Sequence, residues 1–257
     1  MSSSHFDEIA AEYDESLPAH VVEHYLAKRT AFVLANCPPG QGLDVGCGTG
    51  LLAARLAGEG FEMTGIDPSA GMLDVLRERS PEVVAVEGSA TELPFEDSSF
   101  DLVMSHAVMH HIADPVAVRR ALGEMVRICR PGGRVLHWDH NPRNPYWKRL
   151  MARVPQDTGE ERLVEEAEAI EGLRSGGAEV LRSVQLGWVP DFVPPRALPA
   201  AAFGERAMER LPLLRRLAAH NVILATKPEE ARTPAPRSRT GPASGERPPA
   251  GSGRAGA

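Results

Sequence analysis

Hydrophobic and polar positions along the chain follow two periods, one typical of helices and one of strands. Apolar pairs recur at helical spacing after the start signal Ser16-Leu17-Pro18 and stop at residues 38–40, which predicts a first long helix. Short apolar runs then predict strands at residues 42–45, 62–66, 83–86, 100–104, 134–138, 180–189 and 221–226. Helical segments separate most of these runs. The alternation favours an α/β fold with a mostly parallel sheet.

Capping residues mark two of the helix starts. Ser69 is placed to cap a helix that carries Met72 on its apolar side. Asp114 followed by Pro115 is an N-cap with proline at the first helical position, and this helix should end at the Pro-Gly-Gly of residues 131–133. Two more helices are predicted, at residues 51–57 and 163–173.

The composition of residues 228–257 differs from that of the rest of the chain. This segment consists of Pro, Gly, Ala, Ser, Thr, Arg and Glu and has no large apolar residue. Such a segment cannot bury enough apolar surface to offset the entropy of ordering it. We therefore expect one folded domain over residues 1–227 and a disordered tail.

The overall charge and the cysteines exclude some classes of protein. The 257 residues carry a net charge of −7, which argues against a broad nucleic-acid surface. Three widely spaced cysteines, Cys37, Cys47 and Cys129, suit a reducing compartment and lack the paired spacing of a zinc site. No leader pattern and no uncharged apolar run of about 18 residues is found. We expect a cytoplasmic protein without a metal, a nucleic-acid partner or a membrane partner.

The strongest local signal is the glycine-rich turn at residues 43–50, which read Leu-Asp-Val-Gly-Cys-Gly-Thr-Gly. Glycines between a strand and a helix let backbone N–H groups approach a ligand closely. A dinucleotide fingerprint would place its third glycine at residue 51, but that residue is Leu51 and the glycine is Gly50. The carboxylate of Asp44, at the end of the strand, also suits an ammonium group better than a pyrophosphate.

A second carboxylate, Asp67, follows the next predicted strand, seventeen residues after Gly50. In nucleotide-binding sheets an acid at this place accepts hydrogen bonds from ribose hydroxyls. The order and spacing relative to the glycines favour a ribose-binding role over that of a solvated loop residue.

An ordered series of motifs resembles a known family. It comprises the glycine-rich turn, Gly-Ile-Asp-Pro-Ser at 65–69, Gly-Ser-Ala-Thr-Glu-Leu-Pro-Phe at 88–95, Ser-Phe-Asp-Leu-Val at 99–103, the pair His110-His111 and Arg-Pro-Gly-Gly at 130–133. The series is similar to that of the class I S-adenosylmethionine-dependent methyltransferases of the ubiquinone/menaquinone and natural-product type. The resemblance implies a Rossmann-like seven-stranded sheet, helices on both faces and an antiparallel last strand.

The resemblance also implies a cofactor site for S-adenosylmethionine at the carboxyl ends of the strands. The implied cofactor-binding residues are Tyr13, Asp44, Gly46, Cys47, Gly48, Gly50, Asp67, Pro68, Met72, Ser89, Ala90, Ser105 and His106. Residues 1–39 would form an N-terminal cap over the cofactor, and residues 141–220 would build the acceptor pocket. Ser89 departs from the family, which has Asp at this position, so the bond to the adenine amino group would lack charge assistance.

Candidate general bases follow the fourth and fifth predicted strands. They are His106, His110, His111, Asp139 and His140, all expected at the edge of the sheet where ligands bind. In some sugar O-methyltransferases of this family a histidine is oriented by a carboxylate, and the matching positions here are His110 and Asp139. The resemblance thus implies that this pair is catalytic.

The acceptor is less constrained by the sequence than the cofactor. Prolines and aromatic residues mix at residues 141–147 and 188–195, which suits either a flat acceptor or a lid that packs on the core. We predict methyl transfer to a small molecule, first the O-methylation of a natural product or sugar hydroxyl. The alternatives are C-methylation of a quinone-like ring, an NAD-dependent reductase, and a methyltransferase-like binding module without turnover.

Overall fold

The strands of the sheet position the site. The structure is a computed structural model, and it describes residues 3–157, 159 and 161–229. The strands are β1 Gln41–Val45, β2 Glu62–Asp67, β3 Val84–Glu87, β4 Phe100–His106, β5 Cys129–His140, β6 Glu179–Leu186 and β7 His220–Thr226. In the described residues they form one seven-stranded sheet in the order β3-β2-β1-β4-β5-β7-β6.

The directions of the strands confirm the predicted topology. β3, β2, β1, β4 and β5 pair in parallel, whereas β7 is antiparallel to both β5 and β6. The carboxyl ends of the parallel strands therefore meet at one edge of the sheet, and β7 begins at that same edge.

Helices cover both faces of the sheet. They are α1 Ser3–Ile9, α2 Ala19–Asn36, α3 Leu51–Gly58, α4 Ala70–Arg79, α5 Pro115–Ile128, α6 Trp147–Met151, α7 Glu166–Ser175, α8 Leu198–Arg210 and α9 Pro212–Arg215. The two predicted caps are confirmed, because Ser69 Oγ accepts from the Met72 N–H at 3.1 Å and Asp114 Oδ1 accepts from the Val116 N–H at 2.9 Å. Among the described helices, none is long and apolar enough to cross a membrane.

The core has two halves because strand side chains alternate between the faces. In β4, Leu102 and Met104 pack into one cluster with residues of α2, α3 and α4, and Val103 packs into the other with residues of α5 and α7. Burial on both faces explains why these strands read as continuous apolar runs.

Several predicted boundaries were wrong. α5 ends at Ile128 rather than at 131–133, because Cys129 already pairs with Phe100 and the Pro-Gly-Gly turn interrupts β5 instead of preceding it. α7 begins at Glu166, not at 163, and β6 ends at Leu186, not at 189. The helices α1, α6, α8 and α9 were not predicted. The predicted tail lies, from residue 230 onwards, outside the described residues.

Candidate active site

A cavity of 660 Å³ opens at the edge of the sheet where the parallel strands end. Its floor is formed by residues at the ends of β1, β2, β4 and β5. α2 and the segment after α1 cover one side, and the chain between β5 and β7 forms the other. Most of the residues implied by the resemblance line this cavity: Tyr13, Asp44, Gly46, Cys47, Gly48, Asp67, Pro68, Met72, Ser89, Ala90, His106 and His110.

The glycine-rich turn presents its backbone to the cavity at Gly48. This residue has φ +53°, and a Cβ added to it would meet no atom within 4 Å, so the space before it is open. Gly50, which is also predicted to bind the cofactor, lies behind the turn and against α4. A Cβ there would lie 2.1 Å from Leu76 Cδ1, so Gly50 permits α4 to pack on the turn and does not line the cavity.

Asp67 both shapes the turn and faces the cavity. Its Oδ2 accepts from the Gly48 N–H and its Oδ1 from the Ser69 N–H, each at 2.9 Å. Burial raises the pKa of Asp67, and the two backbone hydrogen bonds only partly oppose this. Each carboxylate oxygen has a second lone pair left for a ligand hydroxyl.

Asp44 and Arg29 place opposite charges on the wall of the same cavity. Asp44 Oδ1 is buried and has no hydrogen-bond partner in the described structure, and burial together with the charge of Asp67 raises the pKa of Asp44 to about 7. Arg29 Nε is likewise buried and unpartnered, and burial lowers the pKa of Arg29 to about 10, so it stays cationic at neutral pH. Unpartnered buried groups of both signs suit a ligand that carries an ammonium and a carboxylate.

Sequence reasoning missed Arg29. The signal is its position within the apolar stripe of α2, three residues after Leu26 and four before Val33, where a charged residue is out of place.

The segment before α2 is fastened to the glycine-rich half of the site. Asp7 Oδ1 accepts from Ser69 Oγ at 2.6 Å and from the Gly71 N–H at 2.9 Å, and Asp14 Oδ1 accepts from Thr49 Oγ1 at 2.8 Å. These bonds place Tyr13 in the cavity wall, where burial raises its pKa to about 12. Its hydroxyl is therefore a neutral donor.

Two predicted residues differ in how they reach the cavity. Ser89 lines it, but its Oγ already accepts from the Thr91 N–H at 3.2 Å and contacts Thr91 Oγ1 at 2.9 Å. Ser105 was expected to bind the cofactor, yet it is fully buried beneath the cavity, with its Oγ 3.3 Å from His137 Nδ1, and does not line it. Because side chains alternate along a strand, Ser105 projects from the same face of the sheet as Val103.

The predicted pair His110 and Asp139 is in contact and almost fully buried. His110 Nδ1 lies 2.7 Å from Asp139 Oδ1, and since an ionised carboxylate only accepts, Nδ1 carries the proton. Burial lowers the pKa of His110, but the charge and hydrogen bond of Asp139 outweigh it, so the net pKa is raised. The same pairing holds the pKa of Asp139 well below its usual value against the effect of burial. His110 lines the cavity.

The other candidate histidines are neutral. Burial lowers the pKa of His111 to about 2 and that of His140 to about 4, and it places the pKa of His106 well below 6.5. Among these four histidines, His110 is the one in which the effect of Asp139 on the pKa is larger than the effect of burial.

Asp157 is a cavity residue that the sequence did not indicate. Its Oδ1 is buried without a hydrogen-bond partner, 3.9 Å from His110 Nε2, and burial raises its pKa to about 6. The potential ligand atoms of His110, His111 and Asp157 lie within 4.8 Å of one another, a spacing that also suits a metal ion. No sequence pattern marks Asp157, because it comes from an irregular segment after α6.

The predicted acceptor segments line the cavity in part. Tyr146 and Trp147 face it, as do Val189 and Pro190, and Trp147 Nε1 donates to the Ala219 carbonyl at 2.5 Å. Two predicted aromatics, Trp188 and Phe192, do not line it, and Phe192 is 72% exposed.

Known methyltransferases are similar to this chain over much of its length. A family profile described as "Methyltransferase domain" matches residues 43–137, the part that carries the glycine-rich turn and His110. An uncharacterized methyltransferase of Mycobacterium bovis is 40% identical over 113 residues, 44% of this chain and 45% of the relative. The chain thus spans about half the length of such relatives. A demethylmenaquinone methyltransferase of Renibacterium salmoninarum is 33% identical over 164 residues, 58% of this chain and 68% of the relative.

A solved structure supports the fold. A SAM-dependent methyltransferase of Thermotoga maritima, described as a possible histamine N-methyltransferase, superposes with a TM-score of 0.65 at 24% identity, over 87% of this chain and 98% of that one. The sheet order and this structural similarity define a Rossmann-like methyltransferase fold. The chain belongs to the class I S-adenosylmethionine-dependent methyltransferase family.

Proposed function

We propose that the protein transfers a methyl group from S-adenosylmethionine to a small-molecule acceptor, and that the reaction is O-methylation of a natural-product or sugar hydroxyl. The observation that carries this proposal is the buried pair of His110 and Asp139, which faces the same cavity as the glycine-rich turn. A base oriented in this way is needed to methylate a hydroxyl and is not needed for an acceptor that is already acidic.

The residues on the turn side fit the cofactor. Asp44 and Arg29 offer unpartnered charges of the signs that an amino-acid ammonium and carboxylate require. Asp67 retains lone pairs for ribose hydroxyls, and Gly48 leaves room for a close approach to the backbone. When bound, S-adenosylmethionine supplies an electrophilic methyl group on a sulfonium.

The residues on the acceptor side perform the proton chemistry. Asp139 fixes the Nδ1 tautomer of His110, which leaves Nε2 to accept the acceptor's hydroxyl proton. Asp139 then stabilises the imidazolium that forms. The apolar walls of Trp147, Leu150 and Val154 exclude water. The remaining contribution is the alignment of the acceptor's oxygen with the methyl group.

C-methylation of a quinone-like ring is the second candidate. It is favoured by the relative from Renibacterium, whose described activity concerns a demethylmenaquinone. An NAD-dependent reductase is disfavoured by the position of Gly50 and by the family.

An acceptor screen tests the proposal. The purified protein, S-adenosylmethionine and a library of hydroxylated natural products, sugars and demethylated quinones are incubated, and a mass gain of one methyl is sought. NMR of the product then tells an O-methyl from a C-methyl group, and the His110→Ala variant is the matched control. Calorimetric binding of S-adenosylmethionine without any methylated product would favour the binding module and contradict methyl transfer.

A further inference from the structure

Four arginines surround a second groove, away from the active-site cavity. The groove has a volume of 230 Å³ and lies between β6, α8 and α9. It is lined by Arg182, Arg206, Arg210 and Arg215, together with Val184, Leu186 and Glu209. Among the described residues, no carboxylate forms an ion pair with any of the four guanidinium groups. Glu209 Oε1 is already held by Lys28 Nζ at 2.5 Å and the Gly187 N–H at 2.8 Å.

The groove carries an excess of positive charge, because its four guanidinium groups share the space with one carboxylate, Glu209, which is bonded to Lys28. Four like charges around a small space repel one another, and the repulsion is relieved when a negative group enters. Arg215 Nε is buried and without a hydrogen-bond partner in the described structure, so a polar atom of the groove also lacks its bond. A guanidinium group can donate two parallel hydrogen bonds to two oxygens of one phosphate, which makes a phosphate the best-matched anion.

Large apolar side chains stand exposed beside the arginines. Phe203 on α8 is 71% exposed, and Leu211 and Leu213 at the start of α9 are 52% and 78% exposed. Phe203 and Arg206 are three residues apart and lie on the same side of α8, and Arg210 lies one turn further along. Arginines next to exposed leucine and phenylalanine are typical of helices that lie at a membrane interface.

We propose that the surface formed by α8, α9 and the arginine groove binds a membrane that contains anionic phospholipid. The arginines take the headgroup phosphates, and Phe203, Leu211 and Leu213 enter the boundary between headgroups and acyl chains. A soluble phosphate would use the groove but not the apolar side chains. The net charge of the whole chain gave no hint of this surface, because it averages over faces of opposite sign.

This surface adjoins the acceptor side of the active site. The carbonyl of Arg216 accepts from Asn141 Nδ2 at 3.0 Å, and that of Leu217 accepts from Asn144 Nδ2 at 2.8 Å. Both asparagines belong to the segment that leads to the cavity residues Tyr146 and Trp147. A membrane bound here therefore lies next to the wall of the acceptor pocket.

Vesicle sedimentation with the full chain tests the proposal. Vesicles of phosphatidylcholine alone are compared with an equimolar mixture of phosphatidylcholine and phosphatidylglycerol, and we expect binding only to the mixture, weakened by salt. The double variant Arg206→Gln/Arg210→Gln should bind roughly 25-fold more weakly, since each arginine near an anionic surface contributes about fivefold. Leu213→Ser should weaken binding several-fold. Both changes are at exposed positions, so folding is expected to be preserved.

Matched variants on the other face of the sheet serve as controls. Arg119→Gln/Arg174→Gln removes the same charge from α5 and α7, and Val116→Ser removes an exposed apolar residue from α5. Equal loss in the control variants, or no binding to the mixed vesicles, contradicts the proposal. A melting-temperature rise with inorganic phosphate, abolished in the Arg206/Arg210 variant and without vesicle binding, would assign the groove to a soluble phosphate instead. None of these readouts depends on methyl transfer.

Discussion

Asp139 holds His110 through both of its carboxylate oxygens. Oδ1 accepts from the His110 ring at 2.7 Å, and Oδ2 lies 3.3 Å from the backbone nitrogen of the same residue and accepts from the Met109 N–H at 2.8 Å. One side chain therefore fixes both the ring and the turn that carries it. Replacing Asp139 will change the tautomer and the placement of His110 together.

The first prediction concerns this pair. His110→Ala should lower turnover by roughly 10²–10⁴, the usual loss for a general base, with S-adenosylmethionine affinity unchanged. Asp139→Asn should reproduce much of that defect, and the double variant should be little worse than His110→Ala, because the two residues act as a unit. Steady-state kinetics and titration calorimetry provide the measurements. Turnover within a few-fold of wild type for His110→Ala would remove the pair from the mechanism.

Removal of metal ions distinguishes two roles of His110, that of a general base and that of a metal ligand. If His110 is a base, dialysis against a chelator should leave activity unchanged, and His111→Gln should retain the turnover that His110→Ala loses. Loss of activity on chelation, restored by a divalent ion, would instead assign His110 to a metal site, together with either His111 and Asp157 or Asp139 and His140.

The pH dependence of turnover should follow His110. A base must be neutral to accept a proton, and Asp139 raises the pKa of His110, so turnover should increase with pH and level off above that pKa. In Asp139→Asn the charge that raises the pKa is gone, and the residual activity should level off at lower pH. A profile that is identical in the two proteins would show that another group controls the rate.

Cofactor affinity should depend on pH through Asp44. Its pKa of about 7 means that the free protein loses the negative charge as the pH falls. Binding to an ammonium group requires the ionised form, so affinity should fall by about tenfold for each pH unit below 7. Asp44→Asn should bind more weakly and lack this dependence. Calorimetry from pH 5 to 8 is the measurement, and an unchanged slope in the variant would place Asp44 outside the cofactor site.

Gly48 and Gly177 form a matched pair for the glycine-rich turn. Both have positive φ, +53° and +94°, and neither would place a Cβ within 4 Å of another atom. Alanine at either residue should therefore cost about 1–2 kcal/mol of stability from backbone strain. Only Gly48→Ala places its methyl group before the cofactor, and it should weaken S-adenosylmethionine binding by tenfold or more. Equal affinity in the two variants would contradict the assigned position of the cofactor.

Glu205 should control stability in acid. It is buried and accepts from His24 Nε2 at 2.9 Å, Lys28 Nζ at 2.8 Å and the Trp188 N–H at 2.7 Å. Burial raises its pKa, but these partners outweigh burial and lower it from 4.5 to about 2. A lowered pKa stabilises the fold by about 3 kcal/mol above pH 4.5, and this contribution is lost as the pH falls from 4.5 towards 2.

Denaturant unfolding of Glu205→Gln tests this account. The variant should be less stable at pH 7 and should show a smaller loss of stability between pH 4.5 and 2. Glu23→Gln, which breaks the exposed pair with Arg55, is the control and should change stability by less than about 1 kcal/mol. A control effect as large as that of Glu205→Gln would contradict the assignment.

The sequence predicted the part of the fold in which each signal is local. Capping by Ser69 and Asp114, and the turn that opens α3, depend on side chains within a few residues of the structure they form. The contact of His110 with Asp139 is not local, and the family resemblance rather than the spacing indicated it. The sequence therefore placed the two residues at the ends of neighbouring strands, but it did not give the distance between their side chains.

The remainder depends on tertiary context. Gly50 and Ser105 were assigned to the cofactor through the family resemblance, yet Gly50 packs against Leu76 and the hydroxyl of Ser105 faces His137. Arg29 and Asp157 belong to no sequence motif, and their importance comes from their position in the wall of the cavity. α8 has weak local signals, and its position is fixed by the buried contacts of Glu205 with α2.

β7 runs against its neighbours, and it therefore delivers its first residue, not its last, to the edge of the cavity. His140 at the end of β5 is the register partner of His220 at the start of β7, so the chain leaves the edge and returns to it side by side. The chain segment between these two residues therefore starts and ends at adjacent positions in the sheet. The stretch includes α7 and β6, which pack on α5 and β7, so an exchange between relatives has to keep those contacts. A chimera that keeps them together with the histidine-to-histidine junction is expected to change one side of the cavity and to leave the glycine-rich side as it is.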